Sequence, residues 1–518
     1  MSLAANGNLY FGSRQSEGLG RHDIYVSRQV GGAFQKPENL GAAINTAGSE
    51  VSLYVAPDES YIIFTRLPVG GNSDLFISFR QENGAWAEAV NMGEGINSEA
   101  SDLCLIVTPD GKYLFFLSGR NGNSDVWWVD AVVIDRLRNE VLDPDRWAQA
   151  RRIHREATPI DAHAHAFRHD SRAEDWDIGA DRESSQVDLA KLSKGGVDAI
   201  FYSLALPGDR DEGSARERVL ESARTLPGLV AAEPALARPV SSPRQLQAAL
   251  DDGKIAALMS IESRDILENG PDTLVAYHAA GIRSVTLGHS TVDRIADTAN
   301  EDPGDAGLSE FGRGVVERMN ELGIIVDLSH ASDRLQRDII VASRAPATVS
   351  HGCARALNDI PRCVPDDLLE ALAAKGGVIG VTFYSGHVSP EYREQRAAAT
   401  DRFTPVGEKI KAQYEEGDEA ADQEIEAVWR GYAPPAARLN ALIDHIDHIV
   451  QLVGPEHVAI GSDAGGARYM AVREVQDATG WPAITYELLK RGYAEDDIKK
   501  ILGGNLLRVY DQVEAATR

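Results

Sequence analysis

Histidines, a glutamate and an aspartate stand at the carboxyl ends of successive apolar runs, and these residue types bind divalent metal ions. The densest stretch is residues 324–351, IIVDLSHASDRLQRDIIVASRAPATVSH, where IIVDLS and ATVS end in His330 and His351. Between them Leu335, Ile339 and Ile340 recur at helical spacing behind a Ser-Asp start. That order reads strand, helix, strand, with an imidazole at each strand tip. The placement recurs elsewhere. His163 and His165 end TPIDAHAH, Glu262 ends IAALMSIE, His289 ends RSVTLGH and Asp463 ends HVAIGSD. A single histidine of this kind is more often a satisfied core or surface residue; the joint placement points to a metal site. Two ions need a shared carboxylate, and Glu262 is the expected bridge. Imidazole and carboxylate without thiolate suit zinc, and also Mn, Co or Fe.

The elements that would position these residues form a regular series. From Thr158 onward, eight apolar runs (the six above, with VDAIFYSLA and GVIGVTFY) alternate with amphipathic stretches. Alternation of this kind predicts an α/β fold of the (β/α)₈ TIM-barrel type, in which strand ends converge on one rim. Residues 389–435 form a charged insertion between strands seven and eight. His278, His445 and His448 fall within helices, His387 is expected in a loop, and His22, His154, His169 and His457 are expected to be structural.

The first part of the chain repeats. ANGNLYFGS, APDESYIIFTR and TPDGKYLFFLS each place a turn before an aromatic strand, and a second strand follows at Asp23, Asp74 and Asp125, at a 51-residue interval. Short strands at such a period predict propeller blades. The pattern resembles the TolB-type, WD40-like repeat, whose PDG-strand motif is matched at residues 108–116. The expected domains are incomplete blades over 1–135, a linker and lead-in helix over 136–157, and the barrel over 158–518. Two complete copies and part of a third are too few to close a ring of the usual 4–8 blades. The count leads us to expect that the chain starts inside a longer protein.

Composition narrows the partners. A formal charge of −27 disfavours nucleic acid, and no apolar run reaches the length of a membrane span. The start, MSLAANGNLYFGS, shows no basic segment followed by an apolar one, and the compartment stays open. Cys104, Cys353 and Cys363 are expected to be free buried thiols, with Cys353 close enough to His351 to line the site.

Residues from about 145 to 515 resemble the renal (membrane) dipeptidase family, peptidase M19. The matching motifs are VDLSHAS, Ser350-His351 with the following ARAL, RCVPDDLL, GVIGVTFY, IGSD, and ELLKRGY with ILGGNLLRVY. The resemblance implies a binuclear zinc enzyme that hydrolyses dipeptides, accepts a D-residue at the C-terminal position and is often a homodimer. It implies that His163 and His165 hold one metal, His330 and His351 the other, and Glu262 both. It further implies that His289 contacts the substrate and its tetrahedral intermediate, and that Arg362 binds the substrate's free carboxylate. The chemistry agrees. A hydroxide bridging two zinc ions is a nucleophile near neutral pH. Asp463 would serve as base and then acid, and His289 as an oxyanion donor. Two positions depart from the family pattern: His163-Ala164-His165 replaces a His-x-Asp motif, and Asp463-Ala464-Gly465 replaces an Asp-Phe-Asp motif. Alternative readings are a hydrolase of another amide, a lactone or an N-acyl amino acid, and a binding protein with an inactive barrel.

Overall fold

The computed structural model describes residues 1–165, 178–179, 181, 185–204, 215–262, 267, 270–288, 307–414, 419–465 and 471–517. The chain divides into two units, Met1–Ala148 and Gln149–Arg518. His169 and His289 lie outside the described residues.

The first unit contains three antiparallel sheets of three or four strands in sequence order, and a two-stranded hairpin, Gln29–Val30 with Ala33–Phe34. The first holds Ser2–Leu3, Leu9–Ser13, Asp23–Ser27 and Glu38–Asn39; the second holds Ser49–Val55, Tyr61–Leu67, Asp74–Phe79 and Val90–Asn91. The third has three strands, Asp102–Val107, Tyr113–Ser118 and Asp125–Asp130. Each repeated aspartate opens the third strand of its sheet, as the period requires. Side chains alternate between the two faces of a strand, so every sheet offers one face to each neighbour. Tyr10, Ile24 and Val26 of the first sheet meet Val55, Ile62 and Phe64 of the second. Ile63, Leu75 and Ile77 of the second meet Val107, Leu114 and Phe116 of the third. The sheets are therefore stacked as propeller blades. The expected lead-in helix is Pro144–Glu156, and the stretch read as linker before it holds a further helix, Val132–Leu142. Pro144 opens the second helix, at a position where its missing N–H costs nothing.

The second unit is a closed barrel of eight parallel strands: Ile160–His165, Ala199–Leu204, Ile255–Ile261, Ile282–Thr286, Ile325–Asp327, Thr348–Gly352, Val378–Val381 and Val458–Ile460. The first strand pairs with the second and the eighth, which closes the ring. Each of the eight predicted apolar runs supplies one strand. A short extra strand, Ala237–Pro239, runs beside the third and was not legible in the sequence. The strands are buried on both sides, so their sequences are nearly continuous apolar runs. The connecting helices start on side-chain caps. Asp188, Ser242, Ser309 and Ser332 each accept a bond from the backbone N–H three residues on. The insertion before the eighth strand folds as two helices, Pro390–Lys411 and Glu419–Tyr432. No helix among the described residues is long and apolar enough to cross a membrane.

One close approach fixes the rim. A Cβ at Gly461, just past the eighth strand, would lie 1.8 Å from the carbonyl oxygen of Ser350, the residue before His351. Only glycine lets these backbones meet. Gly461→Ala should therefore destabilise the protein by about 1–3 kcal/mol, the usual range for overpacking, read as a lower thermal midpoint. An unchanged midpoint would mean that the rim can spread.

Candidate metal centre

Glu262 directly follows the third barrel strand, and its carboxylate lies between two histidine pairs. One oxygen, Oε2, is 3.1 Å from His163 Nε2 and 3.4 Å from His165 Nε2. The other, Oε1, is 2.6 Å from His330 Nε2 and 3.3 Å from His351 Nε2. His163 and His165 are two apart on one strand, so both point to the same face. Within each pair the ring nitrogens are close, at 3.3 Å for His163 and His165 and 3.1 Å for His330 and His351. Lone pairs aimed at one another over such distances repel unless a cation or a proton lies between them. The donor set therefore fits a pair of divalent ions sharing Glu262. Asp463 Oδ1 is 3.4 Å from His165 Nε2, and His163, His165 and Asp463 form one ligand-capable group while Glu262, His330 and His351 form another. The expected acid–base residue thus also stands within ligand reach of the first half.

Two carboxylates that sequence reasoning passed over hold the halves in place. Asp327 ends the fifth strand and accepts bonds from Ser350 N (2.8 Å) and Oγ (2.7 Å), Ser329 N and Oγ, and Thr286 Oγ1. Asp161, in the first strand, accepts from Ser462 N (2.8 Å) and Oγ (2.5 Å) and from His163 N. The design is the same on both sides. A buried aspartate shortly before one histidine grips the serine that precedes the residue opposite, His351 or Asp463. The signal was present as Asp161-x-His163 and Asp327-x-x-His330, but nothing in the sequence says which serine answers which aspartate. Ser350 gives its single proton to Asp327 and so accepts from His351 Nδ1, 3.0 Å away. That leaves His351 Nε2 bare and facing Glu262, the form a metal ligand needs. His330 (φ 68°) and Asp463 (φ 54°) both sit in the left-handed backbone region, where strain is tolerated only if the surroundings enforce it.

The charge states follow from this packing. Burial, then the neighbouring Arg362 guanidinium, pushes His330 down to about 3, and burial lowers His351 as well. Burial opposes charge on Glu262, but the imidazoles of His163, His330 and His351 outweigh it and hold the carboxyl well below its usual range. His165 goes the other way. Burial disfavours its cation, yet the bonds to Asp463 and Glu262 raise it to about 10.

Arg362 lies on a loop fastened at several points. Cys353 and Cys363 are joined in a disulfide with Cα atoms 4.6 Å apart, which corrects the expectation of two free thiols. Spacing alone could not show it, because the pairing depends on the loop returning along itself through Val364 N–H donating to Cys353 O. Cys104 is free, as expected, but exposed rather than buried. Arg355 bonds both oxygens of Asp333, and Asn358 Nδ2 donates to the carbonyls of Gly386 and His387. Arg362 is thereby set with a guanidinium nitrogen 3.1 Å from His330 Nε2. His387, expected in a loop, sits in the short helix Ser385–Val388. Its ring meets Tyr384 edge to face at 4.5 Å, and its buried Nδ1 has no hydrogen-bond partner among the described residues. Burial, then Arg362, keeps it neutral. Other histidines are structural as expected: His154 bonds Thr485 and Gly195, His445 bonds Ala354 and Val388, and His448 pairs with Asp366.

Since His165 holds its proton up to about pH 10 in the metal-free site, a cation binding its Nε2 at pH 7 must expel that proton. Zinc titrations in buffers of different ionisation enthalpy should show release of about one proton per chain or more at pH 7. A binding heat independent of buffer would remove His165 from the ligand set.

Comparison with known proteins places this geometry in a family. The model of the membrane dipeptidases, peptidase family M19, matches residues 147–518. Dipeptidase verJ of Clonostachys rogersoniana is 30% identical over 344 residues, covering 64% of this chain and 76% of that protein. Among solved structures, the probable dipeptidase PvdM from Pseudomonas aeruginosa aligns with a TM-score of 0.60 and 26% identity, over 72% of this chain and all of that one. A metallopeptidase from Rhodobacter sphaeroides, solved with a phosphinate mimic of the dipeptide L-Ala-D-Ala, shares the fold at 20% identity and a TM-score of 0.52, covering 69% of this chain and 99% of that one. With the barrel, its rim of histidines and this match across the whole second unit, the chain belongs to the membrane dipeptidase family of metallopeptidases, peptidase family M19.

Proposed function

We propose that the chain hydrolyses dipeptides bearing a free C-terminal carboxylate, using two divalent ions, zinc by preference. The observation that carries this reading is the Glu262 carboxylate, with one oxygen toward His163 and His165 and the other toward His330 and His351. Those five residues would hold the metals. When bound, the ions would polarise the scissile carbonyl and lower the pKa of a water towards neutrality. Asp463, ionised and beside His165, would accept the water's proton and pass it to the leaving amine. Arg362 offers a planar fork within the pocket, and a substrate carboxylate satisfies it with two parallel bonds. The role of His289 as oxyanion donor rests on the TLGHS motif. The dipeptide mimic on the Rhodobacter neighbour is a ligand of the same class, with a D-residue at its C-terminal position.

Two outcomes test the substrate end. Arg362→Met should raise KM for dipeptides by about 100-fold, the scale of losing one partner of a desolvated charge pair, with kcat changed far less. Wild-type protein that cleaves C-terminally amidated dipeptides as well as free ones would end the proposal.

The metal end has its own test. His165→Asp restores an anionic ligand and should keep both ions and equal or raise activity, read by metal analysis beside a dipeptidase assay. Loss of metal in that variant would show that the site depends on the second imidazole. Fewer than one ion per wild-type chain, with no activity after adding Zn, Mn or Co, would favour an inactive barrel.

A further inference from the structure

The first blade meets the second differently from the way the second meets the third. Asp23 and Asp74 open equivalent strands, so Val26 of the first blade corresponds to Ile77 of the second. The residues paired with them across the fourth strand are Glu38 and Val90. Val90 packs on the apolar cluster shared by the second and third blades. Glu38 brings a carboxylate to the same place. Two residues on, Leu40 is half-buried where Met92 is 3% exposed. The repeat is thus broken at its rim, and a cavity of about 360 Å³ lies there between the first blade and the 80–86 turn of the second. Its most buried lining residues are Tyr10 and Val26, and Leu40, Ala43 and Trp86 line it half-buried.

Most polar groups of the cavity are already committed. Arg80 donates to Gly84 O and Tyr10 Oη, pairs with Glu59 and lies 4.3 Å over the Trp86 ring. Tyr10 donates to Glu59 at 2.6 Å, and the Asn39 side chain is spent on Asp23, Gly41 and Asn45. These bonds fix the shape. Arg28 and Glu38 differ. They meet through one bond, Arg28 Nε to Glu38 Oε2 at 3.3 Å. Among the described residues no other hydrogen bond or ion pair engages either side chain, so both terminal nitrogens of Arg28 and one oxygen of Glu38 stay open to a ligand.

We propose that this cavity binds a free α-amino acid with an apolar side chain. Arg28 takes the carboxylate on its two terminal nitrogens, Glu38 takes the ammonium, and the side chain enters the cavity against Leu40, Ala43 and Trp86. The Arg28–Glu38 bond need not break, because the ligand uses the atoms it leaves over. Two features select this class. A cation and a carboxylate side by side suit a zwitterion and disfavour a phosphate, which Glu38 would repel. The volume stands near the lower end of the usual 300–1,000 Å³ for small-molecule sites, which fits one amino acid better than a longer peptide. Departures from a local rule concentrate at functional sites, and Glu38 in the place of an apolar residue is such a departure. The inference rests on the first unit alone and is independent of the catalytic reading.

Amino acids are also products of the proposed hydrolysis, so the test must separate the two units. Calorimetric titration of the full-length Arg362→Met chain with L-leucine should show one saturable site with a Kd of about 1 mM or tighter, a modest demand on so small a ligand. L-leucinamide lacks the carboxylate and N-acetyl-L-leucine lacks the ammonium. Each should bind about 10-fold more weakly or worse, the scale of one hydrogen bond to a charged group. Glycine, with no side chain to bury, should lose about 10-fold or more. Arg28→Met and Glu38→Gln, added singly, should each weaken L-leucine binding by about 10-fold. Their thermal midpoints should stay near that of the parent chain, because the two side chains are 45% and 57% exposed. If either variant fails to fold, Ala42→Phe at the exposed rim should block the cavity instead. Absence of saturable binding in the Arg362→Met chain overturns the proposal. So does binding that survives both Arg28→Met and Glu38→Gln, or L-leucinamide binding as tightly as L-leucine.

Discussion

The second unit depends on the cost of holding four imidazoles and a carboxylate together out of water. Glu262 is buried among His163, His165, His330 and His351, with ring nitrogens of each pair about a hydrogen-bond length apart. Such a cluster is stable only if its charges compensate, because a buried charge without a partner costs several kcal/mol. Without cations the balance is struck by protons favoured on His163 and His165 against ionised Glu262 and Asp463. Divalent cations would meet the same requirement, so the arrangement is one that could hold metal.

Closeness alone would not hold the rings in place. Asp327 gripping Ser350, and Asp161 gripping Ser462, tie the fifth strand to the sixth and the first to the stretch following the eighth. Both aspartates are fully buried, and both accept from backbone and hydroxyl donors, while Asp327 also lies within ligand reach of His163 and His351. The left-handed backbone of His330 and Asp463 lies within these brackets, where surrounding bonds over-determine it. The loop bearing Arg362 is fastened in a different way, by a disulfide, an Arg355–Asp333 pair and the Asn358 side chain. The histidine cluster is therefore set by hydrogen bonds between strands, and Arg362 by a disulfide within its loop and by ties from that loop to neighbouring helices.

The blades follow the opposite logic. Their stability comes from apolar faces stacked in series, a nearest-neighbour arrangement in which any end blade leaves a face unmatched. The barrel has no such ends, since its first and eighth strands pair.

Much of this was legible in the sequence, and the reason is periodicity. Parallel barrel strands are buried on both sides and read as apolar runs, so the eight strands and the chemistry-bearing residues at their tips could be picked out one by one. The 51-residue interval of Asp23, Asp74 and Asp125 marked the blades in the same way. What linear pattern cannot carry is which distant residue answers which. The Cys353–Cys363 link, the pairing of Asp161 with Ser462 and the bond from Asn358 to the His387 carbonyl all arise from chain segments meeting in space. The sequence by itself determined the elements and the ligand types, because each is set by local burial. Only the tertiary structure decided how Glu262 divides its two oxygens between the histidine pairs, because that depends on closure of the ring.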